Sequence, residues 1–167
     1  MEIRLAQASD AAAIREIYNQ AVETTASFDL RPRSLAEQEA WLADRTGAYA
    51  AIVIEGNDGE VAGFASLSPY RTRPAYSTSV EDSIYIEATH QGQGLGKQLL
   101  AELLDLAGRH GFHCVIARIG GHNESSIGLH ESLGFELVGI EREVGRKFNR
   151  WIDVVEMQRL LTETPNV

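Results

Sequence analysis

The sequence is short of cysteine, proline, long apolar runs and positive charge, and each shortage closes off a class of protein. One cysteine among 167 residues, Cys114, leaves no internal disulfide, which suits a reducing compartment. Its setting, Cys114-Val115-Ile116-Ala117, is that of a buried inert thiol rather than a nucleophile. Only four prolines are present, with no repeat, low-complexity tract or linker, so residues 1–167 are expected to form one domain. No apolar run approaches the roughly 20 residues that span a bilayer. The start, Met1-Glu2-Ile3-Arg4-Leu5, lacks the charged-then-apolar layout of a signal peptide. A cytoplasmic protein without membrane contact is therefore expected. Fifteen Lys and Arg against 24 Asp and Glu give a formal charge of −9, which excludes general nucleic-acid binding, since that needs a basic face. His110, His113 and His122 have no metal-ligand spacing with carboxylates or with Cys114, so no metal is expected.

What is present is a regular alternation of strand-like and helix-like segments, which sets the class as α/β (α+β). Ile3 and Leu5 alternate with polar neighbours and predict a short strand. Ser9 or Asp10 caps a helix with Ile14, Ile17, Tyr18, Ala21 and Val22 at helical spacing. Thr24 to Pro32 reads as a loop. Ser34-Leu35-Ala36-Glu37 is a capping box that opens a second helix with Trp41 and Leu42. Tyr49 to Glu55 and Val61 to Leu67 predict a hairpin around the turn Gly56-Asn57-Asp58-Gly59. Ser68 to Tyr76 reads as a loop and Val80 to Ile86 as a strand. A long helix carries Leu95, Leu99, Leu100, Leu103 and Leu106 and ends at Gly108 or Gly111. Cys114 to Ile119 is a strand, and a helix from about Asn123 to Leu133 stops at Gly134. Phe135 to Ile140 and Trp151 to Met157 are the last strands, with Arg146 to Trp151 as a late loop.

The passage from Ile84-Tyr85-Ile86 through Gln91-Gly92-Gln93-Gly94-Leu95-Gly96 into a helix is the strongest chemical signal. Glycines let the backbone approach a ligand, successive amides face outward, and the helix adds unpaired N–H groups and a positive dipole end. An acidic chain can hold an anion this way, and Lys97 in the first turn adds one cation. The dinucleotide fingerprint fails, because the spacing is G-x-G-x-G rather than G-x-G-x-x-G. A P-loop fails too, because Gln91 and Gln98 stand where it needs Gly and a metal-binding hydroxyl.

The turn matches the (Gln/Arg)-x-x-Gly-x-(Gly/Ala) motif, and the chain resembles the GNAT superfamily of N-acetyltransferases. Over most of its length it is similar to the phosphinothricin and methionine sulfoximine acetyltransferase branch. That resemblance is carried by Tyr70-Arg71-Thr72-Arg73-Pro74-Ala75-Tyr76, Ser79 to Ile86, Leu129-His130-Glu131 and Gly145 to Val154. It implies a mixed central sheet of about seven strands with flanking helices and a splayed strand pair that takes acetyl-CoA. The backbone of Ile84, Tyr85 and Ile86 would pair with the pantetheine arm as an added strand would. Gln91, Gly92, Gln93, Gly94, Leu95, Gly96 and Lys97 would hold the pyrophosphate. Asn123 would lie within reach, although on its own it reads as an N-cap.

Acetyl transfer needs a neutral amine, a route for its proton and stabilisation of the developing oxyanion. Glu81 resembles the general base, acting directly or through water. His130 resembles a second proton-handling group, with a buried structural histidine as the alternative. Arg71, Thr72 and Arg73 are candidates for the acceptor's acidic end, which a guanidinium grips in a fork; solvated loop cations are the alternative. Phe28 and Tyr76 are candidate pocket walls, with Asp82 and Ser83 along the same substrate edge as Glu81. The implied reaction acetylates the α-amino group of a small amino-acid-like acceptor by direct attack in a ternary complex. A peptide N-terminus or other small amine is the alternative acceptor, and a non-catalytic acyl-CoA sensor is the alternative of another class. The resemblance also implies a homodimer. Asn149 stands where many relatives have Gly.

Overall fold

The computed structural model describes residues 1–57 and 59–161. Among them, strands and helices follow in the order β1 (Ile3–Leu5), α1 (Ala11–Val22), α2 (Leu35–Ala43), β2 (Ala51–Glu55), β3 (Val61–Pro69), β4 (Ser79–Ile86), α3 (Leu95–Arg109), β5 (Cys114–Gly120), α4 (Glu124–Glu131), β6 (Glu136–Lys147) and β7 (Arg150–Leu160). The strands form one seven-stranded sheet in the order β1-β2-β3-β4-β5-β7-β6. Neighbours are antiparallel except β4 and β5, which run parallel.

Burial on both faces explains the apolar runs of the central strands. Ile52, Ile54, Leu67, Val80, Val115, Ala117 and Val155 pack with Leu95, Leu99, Leu100 and Leu103 of α3. Val53 and Phe64 face the other way, onto Ile14, Ile17, Tyr18 and Val22 of α1. The capping box forms as its residues dictate: Glu37 N donates to Ser34 Oγ and Ser34 N to Glu37 Oε2. At the start of α1 the Asp10 carboxylate accepts from Gln7 N and both terminal nitrogens of Arg4, locking β1 to the first helix. Among the described residues no helix is long and apolar enough to cross a membrane.

The hairpin of β2 and β3 forms, with Asp58 of its predicted turn outside the described residues. β6 runs well past the predicted Ile140, and the stretch Arg146 to Trp151 is mostly strand rather than loop. Only Phe148 and Asn149 turn the chain, both with φ above +50°. That is the pattern of a tight primed hairpin turn, where Asn is tolerated and a β-branched residue is not. Arg146 donates to Asn149 Oδ1 and fixes the turn. The longer β6 was obscured by its register shifts against β7, between Leu137 and Gly139 and between Glu141 and Gly145. Bulges break the period-two pattern by which a strand is recognised.

Candidate active site

The site begins with a pairing that stops. β4 and β5 are in register only from Ser79 opposite Cys114 to Glu81 opposite Ile116. Beyond Glu81, β4 stays paired to β3 as far as Ile86 while β5 stays paired to β7 as far as Gly120. The two inner edges therefore part, and the backbone groups of residues 82–86 on that side have no neighbouring strand. A cavity of about 1210 Å³ follows the gap, with the glycine turn at one end and Glu81 at the other.

At the turn, Gly92 and Gly94 have φ of +75° and +80°. Nothing lies within 4 Å of where their Cβ atoms would be, so a ligand can come close to the backbone there. Gly94 is the residue before α3, and the unpaired N–H groups of that helix start lie beside it. Gly96 serves packing instead: a Cβ there would meet Leu129 Cδ2 at 3.3 Å. Gln91 Nε2 donates to Ile86 O and Gln93 Nε2 to Thr89 O, so both glutamines brace the turn from behind. Gln91, Gly92, Gly94, Leu95, Gly96 and Lys97 line the cavity and Gln93 does not. Asn123 lines it too, while its side-chain oxygen accepts from Ser126 N as the N-cap of α4.

Strand alternation divides the other end between two faces. Glu81 and Ser83 sit opposite Ser68 and Ser66 of β3, on the α1 side. Asp82 turns to the other face and is buried at 7% exposure, while Glu81, Asp82 and Ser83 all line the cavity. Burial raises the Glu81 carboxyl, opposed by the Arg118 guanidinium and reinforced by Asp82, Glu156 and Glu141. A carboxylate held up in this way accepts a proton more readily than an ordinary glutamate.

On the far face, His130 is buried and reaches Asp82. Its Nε2 lies 3.3 Å from Asp82 Oδ2, an ion-pair approach whose alignment falls short of a hydrogen bond. Its Nδ1 is 2.7 Å from Ser126 O, which sets that nitrogen as the donor. Burial works against charge on the imidazole, but Asp82 and the Ser126 carbonyl outweigh it and hold His130 above its ordinary value. Burial likewise lifts Asp82, against the pull of His130. Both residues line the cavity wall.

Phe28 lines the acceptor end, but Arg71, Thr72, Arg73 and Tyr76 do not. These four are exposed, and Arg71 lies over the rings of Tyr70 and Tyr76. A loop between strands can leave the sheet in either direction, and nothing in its sequence says which. The Tyr85 ring stacks with Phe64 in the core, leaving its backbone at the gap. Among the described residues no group of three or more His, Cys, Asp or Glu is placed to hold a metal.

The structure adds residues that the sequence did not single out. Arg118 lines the cavity and pairs with Glu141; the alternation Cys114, Ile116, Arg118 puts it on the open face and was the signal available. A smaller chamber of about 210 Å³ adjoins the acceptor end, sharing Tyr18, Ser83 and Tyr85 with the main cavity and adding Arg33 and Arg45. The loop after α1 closes the same end, with Thr24 to Asp29 all lining it.

A family profile described as "Acetyltransferase (GNAT) domain" matches residues 3–155. The chain is 40% identical to the L-amino acid N-acyltransferase MnaT of Escherichia coli (strain K12), over 98% of this chain and 95% of that protein. It is also 40% identical to the L-methionine sulfoximine/L-methionine sulfone acetyltransferase of Salmonella typhimurium, over 98% and 96%. Among solved structures, a GNAT superfamily phosphinothricin acetyltransferase from Sinorhizobium meliloti in complex with AcCoA superposes with a TM-score of 0.94. The identity there is 42%, covering 98% of this chain and 90% of that one.

Proposed function

The chain belongs to the GNAT acetyltransferase family, and from that premise we propose that it acetylates the α-amino group of a small amino-acid-like acceptor, with acetyl-CoA as donor. Phosphinothricin, methionine sulfoximine and methionine sulfone define the acceptor type, as the names of its relatives suggest. One observation carries the reading. A single cavity joins an amide-lined glycine turn to a carboxylate that burial has made more basic.

The unobstructed backbone at Gly92 and Gly94 and the start of α3 fit a pyrophosphate, and Lys97 adds one cation. The unpaired edge of β4 at Ile84, Tyr85 and Ile86 fits an extended amide-bearing arm. Acetyl-CoA supplies the acetyl group as a thioester. Glu81 takes the proton that the acceptor ammonium must lose before its nitrogen can attack, directly or through a water. His130, held above its ordinary value beside Asp82, stands on the opposite wall as the second candidate for handling the proton that the leaving sulfur needs. Cys114 is not among the cavity-lining residues and burial raises its thiol, which favours direct attack over a cysteine relay.

Assembly and location belong to the same proposal. Leu137, Val138, Ile140 and Val144 of β6 and Trp151 of β7 are about half exposed or more, a surface that suits a second copy. In such a homodimer Arg71 and Arg73, which do not line their own cavity, would be free to serve the acceptor's acidic end in the partner. The lone cysteine supports a cytoplasmic setting. Release of CoA thiol across a panel of amino-acid analogues and short peptides tests the reading. Turnover with methionine sulfoximine or phosphinothricin is expected. Turnover with peptides alone would replace the acceptor class, and cofactor binding without any turnover would make the protein an acyl-CoA sensor.

A further inference from the structure

Lys147 is a buried cation that the chemistry above does not use. It sits at the end of β6 at 7% exposure, and no carboxylate among the described residues forms an ion pair with its Nζ. Instead it donates to three backbone carbonyls: Val22 O at 2.6 Å, Thr24 O at 2.7 Å and Ser27 O at 2.7 Å. An ammonium has three donors, and all three are used. Val22 is the last residue of α1, so its carbonyl is one that the helix leaves unbonded, at the negative end of the dipole. Burial disfavours the charge, against the pull of Asp29 and Glu23, and the three carbonyls hold the ammonium in place.

Those carbonyls belong to the segment that walls the acceptor end. From its other side the same loop is held by Tyr18, whose hydroxyl meets Ser27 Oγ at 2.8 Å and donates to Asp29 Oδ2 at 2.6 Å. Between these two anchors Phe28 projects into a slot made by absent side chains. A Cβ on Gly145 would stand 2.5 Å from Phe28 Cε2, and one on Gly120 would stand 2.8 Å from Phe28 Cε1 and 2.4 Å from Thr25 O. Gly145 lies two residues before Lys147 on β6, so one strand supplies both the slot and the anchor.

We propose that Lys147 is a positioning residue for acceptor selection: its ammonium gathers the carbonyls of residues 22, 24 and 27 so that Phe28 is seated between Gly120 and Gly145, and this fixes the size of acceptor that fits beside Glu81. The proposal rests on the acceptor-end reading above. It predicts an effect confined to one end of the cavity, because Lys147 touches nothing at the glycine turn. An Arg cannot replace it, since three carbonyls converging on one point suit a compact ammonium and not a planar fork.

The test compares Lys147→Met, Lys147→Arg and Phe28→Ala with the unaltered protein. In Lys147→Met, the KM for methionine sulfoximine is expected to rise about tenfold or more, and kcat and the Kd for CoA to stay within about threefold. Amide hydrogen exchange in residues 24–29 is expected to speed up while exchange in the glycine turn does not change. Phe28→Ala should reproduce the KM change without the exchange change, and Lys147→Arg should resemble Lys147→Met. If methionine sulfoximine is not a substrate at all, the exchange and CoA measurements still decide the role of Lys147, while the failure falls on the acceptor assignment. If Lys147→Met does not fold, Gly145→Ala carries the test, since it unseats the ring and leaves the ammonium in place; it should raise the acceptor KM alone. Unchanged acceptor KM and loop exchange, or equal loss of CoA and acceptor binding, would overturn the proposal.

Discussion

The two ends of the cavity are built in opposite ways. The donor end is one stretch of chain, from Ile84 to Lys97, held by short-range bonds such as Gln91 to Ile86 and Gln93 to Thr89. What it offers a ligand is mostly backbone. The acceptor end is made of side chains brought together from far apart: Phe28 of the loop after α1, Glu81 of β4, Arg118 of β5 and the anchor Lys147 of β6, whose bonds span 120 to 125 residues. A site made of backbone tolerates change elsewhere in the sequence. A site made of distant side chains can be retuned by one substitution on any of four elements. A common donor and varied acceptors follow from that division.

Changes to each end should therefore separate in kinetics. Glu81→Gln should have the largest effect, lowering kcat by about a hundredfold to ten-thousandfold with the Kd for CoA unchanged. The pH profile sharpens it. The base must be unprotonated and burial raises its pKa, so kcat/KM should fall on acidification at a pH above the ordinary glutamate range, and Glu81→Gln should remove that limb. Stability carries the opposite sign. A carboxyl whose folded pKa is raised costs stability when charged, fully above its folded pKa and not at all below its unfolded one. Glu81→Gln should therefore not lower the Tm at neutral pH. A joint loss of activity and Tm would recast Glu81 as structural.

An intermediate effect is expected at the other end. Gly94→Ala forces a side chain onto φ of +80°, a strain of about 1–2 kcal/mol. The KM for acetyl-CoA should rise roughly tenfold while the acceptor KM holds; a matching rise in both would dissolve the distinction between the ends. The smallest effect belongs to Cys114→Ala, where turnover should stay within about twofold, since the thiol neither lines the cavity nor carries the acetyl group. Abolished turnover in a folded variant would restore the cysteine relay.

The same contrast explains how far the sequence could be read. Turn glycines, the Ser34–Glu37 capping box and the leucine spacing of α3 are local codes, and the fold drew on them directly. Glu81 and His130 were recognisable by resemblance, yet only the coordinates show them on opposite faces, with Asp82 turned to His130. Arg71 and Arg73 looked like the acceptor's cations because they are arginines beside a site in sequence; neither lines the cavity of its own chain. Lys147 looked like one residue of a late loop, because nothing local announces that three carbonyls more than a hundred residues earlier converge on it. Bulges hid most of β6, and with it the strand that carries both Gly145 and Lys147.

The central claim, one cavity with a backbone-built donor end and a side-chain-built acceptor end, is tested most directly by backbone amide NMR of the intact protein titrated separately with CoA and with methionine sulfoximine. CoA should shift the amides of Gly92, Gly94 and Gly96 and of residues 84–86, and methionine sulfoximine those of residues 24–29 and 81–83. The same amides moving with both ligands, or a glycine turn that ignores CoA, would contradict the account.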